Sequence, residues 1–289
     1  MATHDIQTLR LSGNGLRFTA RACGEGPLVL CLHGFPDSAH TYDELLPRLA
    51  DAGYRAVAPF MRGYAPTQVP ARGDYSPATL GRDVLGLADA LRARRFRLIG
   101  HDWGAAAAYA AAAFAPDRVE RLMAAGLPPL RRFLLNMNPA QIRRSWYIGF
   151  FQLPWLSEAR LARDDCALVE RLWRDWSPGW HFDADDIAPV KAILSHAPSR
   201  RAALRYYRSL PAAILSPRRR QDRRRALGRM ETPALVVSGT ADGCIGSEMF
   251  AGTEDCFTGD CRLVYLDAGH FMHREVPAQF TRLALDFLA

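Results

Sequence analysis

The strongest constraint on the fold is a stretch near residue 100, where an apolar run is followed by glycines and then by alanines. Residues 96–99 are typical of a buried strand, and residues 105–108 begin a helical pattern. Between them, Gly100 and Gly104 stand two positions before and after Asp102. A sharp turn from strand to helix needs small residues there, because the two elements nearly touch. The spacing predicts a nucleophile elbow with Asp102 at its tip.

The residue at the tip decides the chemistry. Serine is the general choice at this position, and its hydroxyl needs a neighbouring base before it can attack a carbonyl. A carboxylate, with an ordinary pKa near ~3.9, is already ionised at neutral pH. Asp102 would therefore attack without a base and form an alkyl ester by displacement at an sp³ carbon. The alternative is an ordinary loop in which Asp102 caps a helix. The other motifs of the chain are needed to distinguish a nucleophile elbow from such a loop.

Strand and helix patterns alternate along the first 126 residues. Two strands with a turn at 13–15 are expected within residues 6–22, as an edge hairpin. Further strands are expected at 28–32, 54–58, 96–99 and 119–126, and helices at 38–50 and 83–91. This alternation predicts a mostly parallel sheet with helices on both faces.

The alternation of strand and helix patterns stops at residue 127, where strand-like runs give way to helical segments rich in aromatic residues and broken by prolines. It returns near residue 231, with strands expected at 234–239 and 262–266 and a last helix at 277–288. We therefore predict an α/β core made of residues 1–126 and 231–289, with an inserted helical lid at 127–230.

Composition narrows the class of protein. The chain has 289 residues, 49% of them hydrophobic, and no apolar stretch approaches the ~20 residues of a membrane span. The first residues show no secretory pattern, so we expect a cytoplasmic protein without membrane insertion. The six cysteines form no Cys-x-x-Cys pair, which argues against a zinc site or a disulfide framework and favours reduced thiols.

The net charge of +7 comes mostly from arginine and is densest at residues 218–225. A nucleic-acid site is one interpretation of such a cluster. No aromatic residue interleaves it, so a solvated helix face is favoured and no nucleic-acid partner is expected.

Two further residues complete a catalytic set with Asp102. In α/β hydrolases the nucleophile is followed along the chain by an acid and then by a histidine. Asp242 follows the strand that ends at residue 239, and His270 follows the strand that ends at residue 266. The segment 126–130, the other place for the acid, has no carboxylate. Asp242 is therefore the predicted acid and His270 the predicted base, with His273 as the alternative base.

Together these motifs resemble the α/β-hydrolase-fold epoxide hydrolases over nearly the whole chain: His33-Gly34-Phe35-Pro36, Gly100-His101-Asp102-Trp103-Gly104, Asp242 and Gly269-His270. In that family two lid tyrosines donate hydrogen bonds to the epoxide oxygen. One lies four residues before a Phe-Gln pair, as Tyr147 does here, and the other stands in an aromatic-Tyr-Arg triplet, as Tyr207 does. Packing of lid on core is the alternative role for these tyrosines.

The resemblance implies a two-step mechanism. Tyr147 and Tyr207 polarise the ring oxygen while Asp102 attacks a ring carbon, and His270, held by Asp242, then activates the water that hydrolyses the ester. The backbone N–H groups of Phe35 and Trp103 are the expected oxyanion hole. No metal or organic cofactor is implied. The substrate would be an apolar epoxide, and the product a vicinal diol.

Other functions remain open at this point. A haloalkane dehalogenase shares the aspartate and the following tryptophan, but such enzymes usually hold the halide with a pair of indole N–H groups or with an asparagine in the first loop. Here Phe35 stands in that loop, and two lid tyrosines are present. A fluoroacetate-type dehalogenase would have arginine in place of Trp103. A binding protein that kept the fold without catalysis is the third alternative. Gly243, Cys244 and the arginine cluster match no family feature, and the oligomeric state is not predicted.

Overall fold

In the computed structural model, which describes residues 5–70 and 73–289, eight strands form one sheet. They are β1 (Gln7–Gly13), β2 (Leu16–Cys23), β3 (Leu28–Leu32), β4 (Arg55–Pro59), β5 (Phe96–His101), β6 (Val119–Ala125), β7 (Ala234–Gly239) and β8 (Cys261–Leu266). Their order across the sheet is β1-β2-β4-β3-β5-β6-β7-β8. The two pairs that involve β2 are antiparallel and the other pairs are parallel, which confirms the predicted mostly parallel sheet.

Helices follow most of the strands. Those before β6 and after β8 are α1 (Leu45–Asp51), α2 (Pro77–Ala90), α3 (Trp103–Phe114), α13 (Met272–Glu275) and α14 (Pro277–Leu288). Between β6 and β7 lie α4 (Leu130–Leu135), α5 (Pro139–Arg144), α6 (Trp146–Phe150), α7 (Leu156–Ala162), α8 (Ala167–Trp176), α9 (Ala184–Ser195), α10 (Ala197–Arg208), α11 (Leu210–Leu215) and α12 (Arg220–Leu227). Short 3₁₀ turns occupy Ala39–Tyr42, Pro217–Arg219, Ser247–Phe250 and Thr253–Cys256.

The predicted edge hairpin is confirmed, since β1 lies at the edge of the sheet and pairs only with β2 within the described residues. Asn14 and Gly15 form its turn with φ angles of 45° and 75°. Positive φ at both central residues gives a turn whose twist suits a two-residue hairpin, and asparagine and glycine adopt it at least cost.

The helix expected at 38–50 is wrong in one respect, because the structure divides it into a 3₁₀ turn at Ala39–Tyr42 and the shorter helix α1. Pro47 explains the division. Proline has no N–H to donate to the preceding turn, so it is tolerated in the first turn of a helix and not in its interior. α2, in contrast, is longer than the helix expected at 83–91. It begins at Pro77, well before the expected residue 83, because proline also suits a helix start.

The sheet brings the predicted site residues to one edge. β3, β5, β7 and β8 are parallel neighbours or near neighbours, so their carboxyl ends point the same way. The loop at 33–36 follows β3, Asp102 follows β5, Asp242 follows β7 and His270 follows β8. Loops at the carboxyl ends of parallel strands are where ligands bind in open α/β sheets.

The stretch between β6 and β7, called the insertion from here on (residues 127–230), contains helices and no named strand in the described chain. It packs on the sheet edge that carries the site: the Trp173 indole N–H donates to the Pro36 carbonyl at 2.8 Å, and the Tyr206 hydroxyl to the Arg62 carbonyl at 2.8 Å. Its boundaries as a separate lid stay a prediction. Among the residues described, no helix has the length and apolar character needed to span a membrane.

Candidate active site

The turn from β5 to α3 has the close approach that its glycines predict. A Cβ at Gly104 would lie 1.9 Å from the Leu32 carbonyl oxygen, and one at Gly100 would lie 2.5 Å from the Gly104 carbonyl oxygen. Between them Asp102 has φ 51° and ψ −117°. Such a backbone is unfavourable for a residue other than glycine and costs on the order of 1–3 kcal/mol. The surrounding packing holds the Asp102 side chain at the edge of the sheet, as the spacing predicts.

The Asp102 carboxylate lies in a pocket of backbone N–H groups. Oδ1 accepts a hydrogen bond from the Phe35 N–H at 2.8 Å, and the Trp103 N–H at the start of α3 also stabilises the charge. Gly34 makes this approach possible, since a Cβ there would lie 2.4 Å from Oδ1. Burial raises the pKa of Asp102 to about 6, although nearby His270 and the two N–H groups act to lower it. Both predicted oxyanion donors therefore face the predicted nucleophile.

His270 and Asp242 form a buried pair opposite Asp102. His270 Nδ1 is 2.8 Å from Asp242 Oδ2, and His270 Nε2 is 3.8 Å from Asp102 Oδ2. Burial disfavours the imidazolium, but the Asp242 carboxylate outweighs burial and raises the pKa of His270 well above 6.5. The hydrogen bond to Asp242 leaves Nε2 facing the nucleophile, which is the orientation that a base needs.

Asp242 is itself held by the backbone. Its Oδ1 accepts the N–H groups of Cys244 and Ile245 at 2.7 and 2.9 Å, while Oδ2 contacts the histidine. A carboxylate with partners on both oxygens cannot rotate without losing hydrogen bonds. The loop after β7 therefore orients Asp242 toward His270.

The loop that carries His270 is fixed by residues that the sequence did not point to. The Trp176 carbonyl at the end of α8 accepts the His270 N–H at 3.0 Å, and the Trp176 ring packs on the imidazole with centroids 5.2 Å apart. The Ser177 hydroxyl donates to Glu275 at 2.6 Å, and Glu275 accepts the Gly269 N–H at 2.8 Å. These residues belong to the insertion and to α13, and only tertiary contact brings them together.

The other histidines near the site support its loops. His33 Nε2 accepts the Met61 N–H at 3.0 Å, and His101 Nε2 lies 2.9 Å from the His270 carbonyl oxygen. His273, the alternative base, lies with Nε2 2.6 Å from the Thr41 hydroxyl. Burial lowers the pKa of His33 to about 4 and that of His101 and His273 well below 6.5, so all three are neutral. Of the four histidines, His270 is the one whose ring nitrogen faces the Asp102 carboxylate.

The two predicted tyrosines reach the same cavity as Asp102. This cavity of about 150 Å³ lies between α3 and the insertion, and Asp102, Tyr147 and Tyr207 all line it together with mainly apolar side chains. The two phenol rings are 5.7 Å apart, centroid to centroid. Burial raises the pKa of both hydroxyls well above 10, so each keeps its proton. The cavity thus combines an apolar wall, one carboxylate and two proton donors.

The hydroxyls differ in their partners. Tyr147 Oη lies 3.2 Å from the sulfur of Cys244, a residue that the sequence left unassigned. The Tyr207 hydroxyl has no hydrogen-bond partner of good geometry among the residues described. Burial raises the pKa of the Cys244 thiol to about 11, so it is a neutral neighbour of Tyr147. All six cysteines of the chain are free.

Within residues 5–70 and 73–289, two groups of buried side chains have the donor atoms for a metal ion, with the ligand atoms of each group within 4.8 Å of one another. One is Asp242, Cys244 and His270, which belongs to the site just described. The other is Asp37, His101 and His273, which lies behind it. Hydrogen bonds within the protein already engage His270, His101 and His273 in both groups.

Comparison with known proteins shows the family to which the chain belongs. Residues 27–276 match the alpha/beta hydrolase fold family. The AB hydrolase superfamily protein YfhM of Bacillus subtilis is 30% identical over 95% of both chains, and epoxide hydrolase A of Mycobacterium tuberculosis is 30% identical over 95% of both chains. A crystal structure of a Bacillus megaterium epoxide hydrolase in complex with an inhibitor has a TM-score of 0.84 at 26% identity, covering 97% of this chain and 99% of that chain. The chain belongs to the α/β-hydrolase fold family, among the members that include the epoxide hydrolases.

Proposed function

We propose that this protein is an epoxide hydrolase that converts an apolar epoxide into a vicinal diol through an ester on Asp102. The observation that carries the proposal is the meeting of three groups in one cavity. Asp102, Tyr147 and Tyr207 line the same cavity, so an epoxide bound there has a nucleophile and two acids within one enclosed space. The relatives named epoxide hydrolases support the same substrate class.

Ring opening uses the first half of the site. Asp102 attacks a ring carbon, the C–O bond breaks, and the oxygen that leaves takes a proton from a tyrosine. Burial keeps each phenol neutral, so each has a proton to donate and adds no negative charge beside the Asp102 carboxylate. The apolar wall of the cavity suits an epoxide with hydrocarbon substituents.

Ester hydrolysis uses the second half. Neutral His270 takes a proton from water through Nε2, and the resulting hydroxide attacks the ester carbonyl of Asp102. The N–H groups of Phe35 and Trp103 then stabilise the oxyanion, since they already face the carboxylate oxygen in the free enzyme. Collapse of the intermediate breaks the bond to the alkyl oxygen, which takes the proton from the His270 imidazolium and leaves as the diol. The carboxyl group of Asp102 then gives up the second proton of the water, which restores the tyrosine that donated during ring opening, so all the groups return to their starting states.

The insertion takes part as a lid in this proposal. It supplies both tyrosines and covers the cavity, whereas the core of residues 1–126 and 231–289 supplies Asp102, Asp242 and His270. Closing water out of such a cavity strengthens every electrostatic contact within it.

The test is to trap the ester. In His270→Gln, attack remains possible and hydrolysis is blocked, so protein mixed with an epoxide gains the mass of the substrate, on the peptide that contains Asp102. The matched control is His181→Gln, an exposed histidine of the insertion, which turns over normally and accumulates no adduct. Diol formation without any adduct in His270→Gln would mean direct attack by water. Halide release from haloalkanes without diol formation would assign the dehalogenase activity instead.

A further inference from the structure

The insertion carries an unusual share of positive charge. Residues 127–230 contain 20 basic and 9 acidic residues, a net charge of +11, whereas the rest of the chain contains 17 basic and 21 acidic residues, a net charge of −4. Four of these 20 basic residues are arginines of α12, which has one acidic residue, Asp222. Asp222 pairs with Arg82 of the core, and no ion pair is found for Arg220 or Arg224 within the described chain. Such an asymmetric field favours an anionic partner for this side of the molecule.

Exposed apolar side chains are concentrated in the same part of the protein. Of the large apolar side chains that are exposed in residues 5–70 and 73–289, all but Tyr265 lie in the insertion. Leu135 at the end of α4 is 63% exposed, and Leu215 at the end of α11 is 75% exposed. Single exposed leucines are ordinary, but a group of them beside a basic helix marks an interaction surface.

These two features meet where the active-site cavity leads outward. A second apolar cavity continues from the first, and both are lined by Pro77, Ala110, Ala113, Leu130, Leu210 and Ala226. The outer cavity is bordered by α4, α11 and α12, through Leu134, Ile214 and Arg223. We call six exposed residues on these three helices the mouth patch: Leu134, Leu135, Ile214, Leu215, Arg220 and Arg224.

We propose that the mouth patch docks this protein on the surface of an anionic lipid bilayer, with the passage to Asp102 opening toward the lipid. Leucine and isoleucine side chains enter the interfacial region, and the arginines contact lipid phosphates. This binding needs no membrane-spanning segment. Delivery of an apolar epoxide through the passage rests on the proposed function, but the docking itself does not.

Charge and side-chain chemistry favour this occupant over two others. A second copy of the chain would bring a patch of the same positive sign against the first, and like charges repel. A nucleic acid would be attracted by the arginines, but single strands are held by stacking on aromatic rings, and the mouth patch offers aliphatic side chains instead. Aliphatic and basic side chains side by side suit an anionic bilayer.

The test is co-sedimentation with vesicles of phosphatidylcholine alone and of phosphatidylcholine mixed with phosphatidylglycerol, over a range of salt. The wild-type chain is expected to bind the anionic vesicles, less so as salt rises. Arg220→Gln with Arg224→Gln should weaken binding roughly 30-fold, and Leu135→Ser with Leu215→Ser at least about 10-fold. The control for the arginine pair is Arg10→Gln with Arg262→Gln, which removes the same charge from the core. The control for the leucine pair is Tyr265→Ser, which removes exposed apolar surface from the core.

Several outcomes would overturn the docking proposal. They are no binding of the wild type to anionic vesicles, equal binding to phosphatidylcholine alone, or core variants as impaired as the mouth variants. A dimer in light scattering that Leu135→Ser with Leu215→Ser dissociates would assign the patch to self-association. A DNA duplex that displaces the vesicles, and whose binding is lost with the arginine substitutions but not with the leucine substitutions, would assign the patch to nucleic acid. Turnover of a water-soluble epoxide without vesicles should be unchanged in every variant; its absence even in the wild type would instead count against the proposed function.

Discussion

Two opposing effects act on the carboxylate of Asp102. Burial favours its neutral form, whereas the Phe35 and Trp103 N–H groups and His270 favour its charge, and the balance leaves a pKa of about 6. A nucleophile that gives up its proton near this pH is ionised at neutral pH and keeps more basicity than an exposed aspartate would. The same backbone N–H groups can later stabilise the oxyanion, so one pocket serves both steps of the proposed reaction.

These pKa values predict the pH dependence. The rate of ester formation should fall as pH drops below about 6, because Asp102 gains a proton. Hydrolysis should fall as His270 gains its proton, and Asp242→Asn should move that decline to lower pH, because it removes the carboxylate that raises the His270 pKa. Rapid-quench measurement of ester and diol against pH separates the two steps.

The exposed Asp267→Asn, in the loop that carries His270, is the matched control and should leave both profiles in place. Ester formation that stays constant down to pH 5 would contradict the role of Asp102 as the group that titrates near pH 6. An Asp242→Asn profile displaced to higher pH would contradict the pairing with His270.

The tyrosines give a second prediction at this scale. Tyr147→Phe and Tyr207→Phe should each slow ring opening roughly 10²-fold, about the effect of losing one oxyanion donor. Both rings stay apolar and buried, so folding should be preserved. Single-turnover kinetics of ester formation measures the effect, and the exposed Tyr265→Phe should match the wild type. Unchanged ester formation in the double variant would return both tyrosines to a packing role.

Among the elements, the turn from β5 to α3 is the least tolerant of added volume. Gly104→Ala would place a methyl group 1.9 Å from the Leu32 carbonyl oxygen, so the two elements would have to separate. We expect a loss of at least about 3 kcal/mol in the free energy of unfolding, measured by chemical denaturation. Gly149→Ala in α6 is the control, since its added methyl group meets no atom within 4 Å, and helix propensity should make it neutral or slightly stabilising. Equal stability of the two variants would refute the close approach.

The elements also show what the sequence could and could not predict. β3 and β7 were predicted with their observed bounds, because continuous apolar runs ending in glycine or in the loop at 33–36 leave little choice. Asp102, Asp242 and His270 were placed by chain order and by their positions after strands. Trp176, Ser177 and Glu275 were missed, because their role comes from contacts across about 100 residues of chain, as in the 2.6 Å bond between Ser177 and Glu275. Periodicity carries no signal for such contacts.

The whole molecule is expected to unfold as one unit. The insertion buries Trp173, Trp176 and Tyr206 in the same apolar core as the sheet, so it loses its support when the sheet unfolds. All tryptophans except Trp103 lie in the insertion, so tryptophan fluorescence reports mainly on that part, whereas far-UV circular dichroism reports on the whole chain. The two denaturation curves should coincide. A fluorescence transition at lower denaturant concentration would show a lid that unfolds independently.

The distance of 3.8 Å between Asp102 Oδ2 and His270 Nε2 couples the two steps of the proposed reaction in time. While Asp102 is ionised, its charge favours the protonated imidazole, because opposite charges attract strongly in a buried site. Formation of the ester removes that charge, and the imidazole then holds its proton less tightly. Formation of the ester therefore favours the neutral His270 that is needed to hydrolyse that ester. The order of the two steps follows from a change of charge, without any movement of the backbone.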